Sequence, residues 1–128
     1  MRLARIAVAW SGGLISFFGV LYIVAMVRML AISDLSGLSP TSLTDARVMY
    51  GAFELGPGIF LLASLKRDAW IEPVFALSTI MFAFIPAVRA VGMVFDGAVN
   101  SFHLLALVIE LATCTLAWIA WRGLRFAR

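Results

Sequence analysis

Four apolar runs, each long enough to cross a bilayer and poor in charge, constrain this chain more than any other feature. A hydrocarbon core is about 30 Å thick and an α-helix rises 1.5 Å per residue, so one crossing takes about 20 apolar residues. The first run, Ile6–Val27, holds no charge and is bracketed by Arg5 and Arg28. A cleaved leader has an apolar region of only about 7–15 residues. This run is longer, so it is expected to persist as a helix. The four predicted spans are 6–28, 46–65, 69–95 and 100–121. Between the first two lies a polar stretch, Ser33–Asp45, in which Thr44 or Asp45 is the expected cap of the next helix. Gly56-Pro57-Gly58 should kink the second span, and Pro86 should bend the third one turn before Arg89. Lys66-Arg67-Asp68 and Asp96-Gly97 read as short turns.

Composition decides between a membrane bundle and a soluble one. The chain is 63% hydrophobic and 13% charged, against roughly half and a quarter in soluble domains. Too few charges remain to coat a soluble bundle. The expected fold is therefore all-α, an integral membrane four-helix bundle forming one domain over 1–128. Arg2, Arg5, Lys66, Arg67, Arg122, Arg125 and Arg128 fall on one side of the membrane, and Arg28, Arg47 and Arg89 on the other. Basic residues favour the cytoplasmic face, which predicts both termini inside.

The net charge of +3 forms no basic stripe, which argues against a nucleic-acid partner. Cys114 is the only cysteine, so no internal disulfide can form. No His and Cys cluster has metal-ligand spacing, and neither a glycine-rich phosphate loop nor a nucleophile elbow is present. Paired histidines for a b-type haem are also missing. No metal and no cofactor are expected.

Four ionisable residues within the spans stand out: Glu54, Arg89, His103 and Glu110. A charge near mid-bilayer costs about 2.5–3.5 kcal/mol on insertion scales, so such groups turn inward and find partners. Helical spacing puts Arg47, Tyr50, Gly51 and Glu54 on one side of the second span. Arg89 and Asp96 share a face of the third, with Gly92 and Met93 between them. His103 and Glu110 share a face of the fourth. Glu54 and Arg89 each lie roughly 10 Å inward from the same membrane edge, so they are the expected ion pair. Glu110 then adds a second carboxyl with no second cation, and one of the two should hold a proton. His103 falls near the outer surface. Gly51, Gly56, Gly58 and Gly92 are candidates for close helix approach.

The stretch Asp45-Ala46-Arg47-Val48-Met49-Tyr50-Gly51-Ala52-Phe53-Glu54-Leu55-Gly56 resembles the signature of a bacterial membrane family, domain of unknown function 4345. Arg89-x-x-Gly92-x-x-x-Asp96-Gly97 and Glu110 fit the same pattern, while Ala52 stands where the pattern has a second glycine and His103 lies outside it. The resemblance covers nearly the whole chain and implies a four-helix protein of about this length in a bacterial inner (cytoplasmic) membrane. It extends distantly to DoxX-like membrane proteins and supplies no substrate.

Two functions follow from these residues. In the first, Glu54, Arg89 and Glu110 serve as catalytic groups, with Arg47, Tyr50, Asp96 and His103 around a polar cavity facing the outer leaflet. That cavity would bind a small lipophilic molecule or act on it by acid–base chemistry; whether the chain is an enzyme stays open. In the second, it is a structural or accessory subunit whose charges only fix helix packing. Small proton-coupled transport fits less well, because dual-topology exporters need balanced Lys and Arg. The bilayer is the expected environment, and self-association stays open. The charge asymmetry carries a direct test. In a background without Cys114, Ser36→Cys and Ser101→Cys should react with an impermeant thiol reagent added from outside, and Lys66→Cys should not; the reverse pattern would invert the orientation.

Overall fold

The computed structural model describes residues 2–97 and 99–126, with side chains described as far as Gly123. Arg128, counted above on the cytoplasmic side, lies outside the described residues, as does the side chain of Arg125. Among the described residues all regular structure is helical. The helices are α1 (Arg2–Val24), α2 (Met26–Ile32), α3 (Pro40–Ala46), α4 (Phe53–Ser64), α5 (Asp68–Phe95) and α6 (Ser101–Phe126), with a π-helical segment, Arg47–Ala52, joining α3 to α4. By length and composition, three helical stretches can cross a membrane: Arg2–Val24, Asp68–Phe95 and Ser101–Gly123. The described outer surface is rich in large apolar side chains such as Phe17, Phe53, Phe84, Val88 and Val108. In water these would be a liability; in lipid they are the solvated face.

The helix boundaries depart from the predicted spans in instructive ways. The first span breaks at Ala25, and α2 carries the chain on to Ile32. The second helical stretch starts at Pro40, earlier than predicted, and its cap is Ser39 rather than Thr44 or Asp45. The Ser39 side chain accepts a hydrogen bond from the Ser42 amide at 3.2 Å, and Pro40 takes the first helical position, where a missing N–H costs nothing. The Thr44 hydroxyl instead donates to the Pro40 carbonyl within the helix. Residues 40–64 are then helical throughout, but the π segment shifts the register, since each of its bonds spans one residue more than in an α-helix. Pro57 follows inside α4, where it offers no N–H to the carbonyl one turn back. The third helix matches its predicted span to within one residue at its start and continues through Pro73 and Pro86.

The chain divides into two compact units, residues 9–63 and residues 1–8 with 64–128. In the first, α1 and the 47–62 stretch run antiparallel, backbone against backbone. A Cβ built on Gly19 would lie 2.7 Å from the Leu55 nitrogen and 2.9 Å from its Cα, and one on Gly58 would lie 2.7 Å from the Ser16 nitrogen. Gly12 meets Leu61 and the Gly58 carbonyl, while Gly51 meets Ile23. Gly12 and Gly19 are seven residues apart, as are Gly51 and Gly58. Two glycine stripes therefore face one another, as small residues do where membrane helices approach closely. Gly56 has no neighbour within 4 Å of a built Cβ, so its place beside Pro57 does not serve this contact.

In the second unit, α5 buries Ile71, Val74, Phe75, Ser78, Phe82, Pro86 and Met93, a helical stripe along nearly its whole length. Thr113, Ala117 and Ala120 are buried on α6, and Ala4, Ala7 and Val8 on the first turns of α1. The hydroxyls of Ser78 and Thr113 donate to carbonyls four residues back, which satisfies them without a partner helix. Arg5 ties the N-terminal end of α1 to the α4–α5 turn, donating to Asp68 at 2.6 Å and to the Leu65 carbonyl at 2.8 Å. Arg67 lies over the Trp70 ring at 4.9 Å, and Trp118 packs edge-on against Trp121 at the far end of α6. Such pairs suit the boundary between hydrocarbon and headgroups.

The glycine contacts predict an asymmetry. Gly19→Ala drives a methyl into the Leu55 backbone and should cost about 1–3 kcal/mol, as overpacking does. Gly56→Ala enters open space and should be neutral or slightly stabilising, read from thermal unfolding in detergent. Equal loss in both would remove the tight antiparallel contact from the description.

Candidate functional site

The polar residues of α5 and α6 meet within one unit. The turn Asp96–Gly97, with Gly97 at φ 64°, reverses the chain, and Asn100 opens α6 by accepting from the His103 amide at 2.9 Å. That cap sets the phase of α6, so that His103, Glu110, Thr113, Ala117 and Ala120 fall on one face, toward α5. Arg89 lies across this face. Its Nε donates to both Glu110 carboxylate oxygens, at 3.0 and 2.8 Å, and its Nη2 donates to Oε1 at 2.5 Å. Its Nη1 lies 3.1 Å from His103 Nδ1. One guanidinium thus spans two turns of the neighbouring helix.

Donor chemistry fixes the histidine. A guanidinium can only donate, so Nδ1 must accept, and His103 is the neutral tautomer with its proton on Nε2. The pair itself is half-sheltered, with side-chain exposures of 23% for Arg89 and 14% for Glu110. No charged residue is fully buried among the described residues, where the fully buried polar groups are serines and threonines.

This geometry corrects the expected pairing. The carboxylate bound to Arg89 is that of Glu110, which has the cation the charge count denied it. Residue type alone does not say which carboxylate meets Arg89; the packing of α6 on α5 brings Glu110 to it. Glu54 is half-buried in the other unit and has no hydrogen-bonding or ion-pairing side chain within it. His103 is likewise no plain surface histidine but half-buried and held.

Arg47, Tyr50 and Gly51 of the second span contact the end of α1, and Arg47 and Tyr50 stay exposed. Arg47 donates to the Ile23 carbonyl, where α1 breaks and its last carbonyls lose their regular donors. The Tyr50 ring packs on Tyr22 with centroids 5.4 Å apart, and Gly51 meets Ile23. The π segment is why α-helical spacing misreads these residues: a residue count taken across it does not preserve the face.

Beside the clamp lies a pocket of about 500 Å³. Arg89, Asp96 and His103 supply its polar atoms, with Gly92 and Met93 between them, and Phe84, Ile85 and Val88 form its apolar wall. Glu110 does not line it but holds Arg89 in place. The Asp96 carboxylate and the His103 Nε2 have no hydrogen-bonding partner among the described residues. Phe84, Ile85 and Val88 carry no signal in the sequence, because lipid-facing and pocket-facing side chains look alike, whereas Met93 shares the face of Arg89 and Asp96. Glu72 is a further half-buried ionisable group of the third span that stands outside this site. Among the described residues no cluster of three or more His, Cys, Asp or Glu could hold a metal ion.

The pair can be measured by a double-mutant cycle in detergent. Arg89→Gln and Glu110→Gln should each cost about 1–3 kcal/mol, less than a fully buried pair because both groups keep some exposure. The double variant should recover part of the sum, and strict additivity would show that the two residues do not interact.

No curated protein matches the chain, and no solved structure does. The model of one family, described as a domain of unknown function (DUF4345), matches residues 3–121, and with nearly its whole length matched the chain belongs to that family.

Proposed function

We propose that this chain is a four-span membrane protein that binds a small lipophilic molecule in the pocket beside Arg89, with Asp96 and His103 as the polar contacts. Four crossings are supported by two contacts. The Arg5–Asp68 bond brings the chain back to its starting side at the α4–α5 turn, so what leaves through α1 must return before Asp68. The antiparallel glycine contact with α1 makes the 47–62 stretch the returning segment. At 1.5 Å per residue, residues 40–64 reach about 37 Å, enough for a crossing. With both ends on the basic side, the orientation is N-in and C-in, in keeping with an inner (cytoplasmic) membrane.

The observation that carries the binding reading is the pocket itself. A volume of about 500 Å³ lies within the range of small-molecule sites, and a few convergent polar groups in apolar walls are their usual composition. Asp96 is at the opposite end of α5 from Asp68, about 42 Å away along the helix, which supports a pocket mouth toward the non-cytoplasmic side. Arg89 orients His103, and Glu110 orients Arg89; neither carboxylate oxygen of Glu110 is free to act as a proton donor. Any acid–base step would run through the His103 Nε2–H and the Asp96 carboxylate.

The second reading, a structural or accessory subunit, is favoured by the clamp, since Arg89 alone would hold α5 against α6. Gly92→Phe separates the two. A Cβ at Gly92 meets only the Asp96 carboxylate, at 3.6 Å, so the larger side chain fills the pocket without displacing backbone. Its stability should stay close to the parent's, while lipophilic compounds co-purifying with the parent, identified by mass spectrometry of organic extracts, should fall at least tenfold. A parent that carries no such compound, or a variant that keeps it, would leave the structural role.

A further inference from the structure

Resting on the binding reading above, we propose that the pocket selects a single-chain lipophilic amine, its ammonium against Asp96 and its apolar body along Phe84, Ile85 and Val88. The charges around the pocket decide this. Arg89 is answered by Glu110 through three contacts of 2.5–3.0 Å, so its charge is spent before a ligand arrives. His103 is neutral, because its Nδ1 accepts from the guanidinium. Asp96 remains, a carboxylate on the pocket wall with no partner among the described residues. The sum over Arg89, Glu110, His103 and Asp96 is one negative charge.

Helix ends reinforce the sign. Asp96 is the C-terminal cap residue of α5, where the last backbone carbonyls concentrate partial negative charge. The opposing N-terminus of α6 is already engaged at its third position by Asn100. A carboxylate, phosphate or sulfonate head would meet Asp96 and Glu110 as like charges, beside an Arg89 already neutralised by Glu110. An ammonium meets one free carboxylate.

The pocket also has the polarity of an amphiphile in one leaflet. Asp96 stands at the end of α5, and Phe84 lies twelve residues deeper, about 18 Å along the helix. A head at Asp96 therefore leaves the tail pointing toward mid-bilayer beside Val88, Ile85 and Phe84. The His103 Nε2–H adds a donor at the same level for a hydroxyl or carbonyl near the amine.

The full chain, purified in dodecyl maltoside, would be incubated with dodecylamine, dodecanol and sodium dodecanoate at equal concentration, and bound ligand counted by native mass spectrometry. Dodecylamine should bind at least tenfold more tightly than dodecanoate, and butylamine, which lacks the apolar body, should not bind measurably. Asp96→Asn should lose the preference for the amine while eluting and melting like the parent, whereas Gly92→Phe should lose all three long-chain ligands. Preference for dodecanoate or dodecanol, or an amine preference retained in Asp96→Asn, would overturn the charge assignment alone, and butylamine binding as tightly as dodecylamine would overturn the apolar seat along Phe84, Ile85 and Val88. Long-chain binding unchanged in Gly92→Phe would overturn this proposal and the pocket reading together.

Discussion

Hydrocarbon offers neither hydrogen-bond donors nor acceptors, so each polar atom carried into it must be answered by another atom of the chain. Arg89 shows the consequence. It is a permanent cation about seven residues inside the end of α5, and its guanidinium is met by both oxygens of Glu110 and by a ring nitrogen of His103. The fork geometry matters here: a planar guanidinium can serve a carboxylate along one edge and an imidazole at its remaining nitrogen, which a lysine ammonium could not do with the same rigidity. The Asn100 cap, the phase of α6 and the tautomer of His103 all bear on that single guanidinium. The pocket lies beside this arrangement, lined by α5 residues from Phe84 to Met93, by Asp96 at the end of that helix and by His103 of α6.

The other compact unit meets the same constraint by different means. Instead of charges, it uses the absence of side chains. Gly12, Gly19, Gly51 and Gly58 allow two backbones to touch, and the resulting dispersion contact needs no polar partner. Where α1 breaks at Ala25, Arg47 supplies the donor that the helix no longer provides. Polar residues that look like a ligand surface in one dimension thus finish a helix end in three.

The Arg89 clamp and the pocket beside it lie at one end of α5 and α6. Arg5, Asp68, Arg67 and Trp70 mark the opposite end of α5 as an anchoring region. Similar residues make different contacts: Arg5 binds Asp68 and Arg67 lies over Trp70 near the α4–α5 turn, while Arg89 binds Glu110 and meets His103. Glu110, which charge counting makes the most suggestive residue, is bound to Arg89 and does not line the pocket, whereas Asp96 and His103 do.

The sequence by itself determined the helical class, the approximate limits of α5 and α6, the Asp96–Gly97 turn and the shared face of His103 and Glu110. Each of these depends on local spacing or on runs of apolar residues, which a one-dimensional reading resolves. It also held an unused signal, the matching seven-residue spacing of Gly12–Gly19 and Gly51–Gly58. Only the tertiary structure decided that Glu110 binds Arg89, because residue type and spacing within one helix do not say which side chain of a neighbouring helix will face it. The π segment at Arg47–Ala52 and the cap at Ser39 moved the second helical stretch for a related reason. A change of hydrogen-bonding register rotates every later residue about the helix axis, and nothing in the residue types announces where that change occurs.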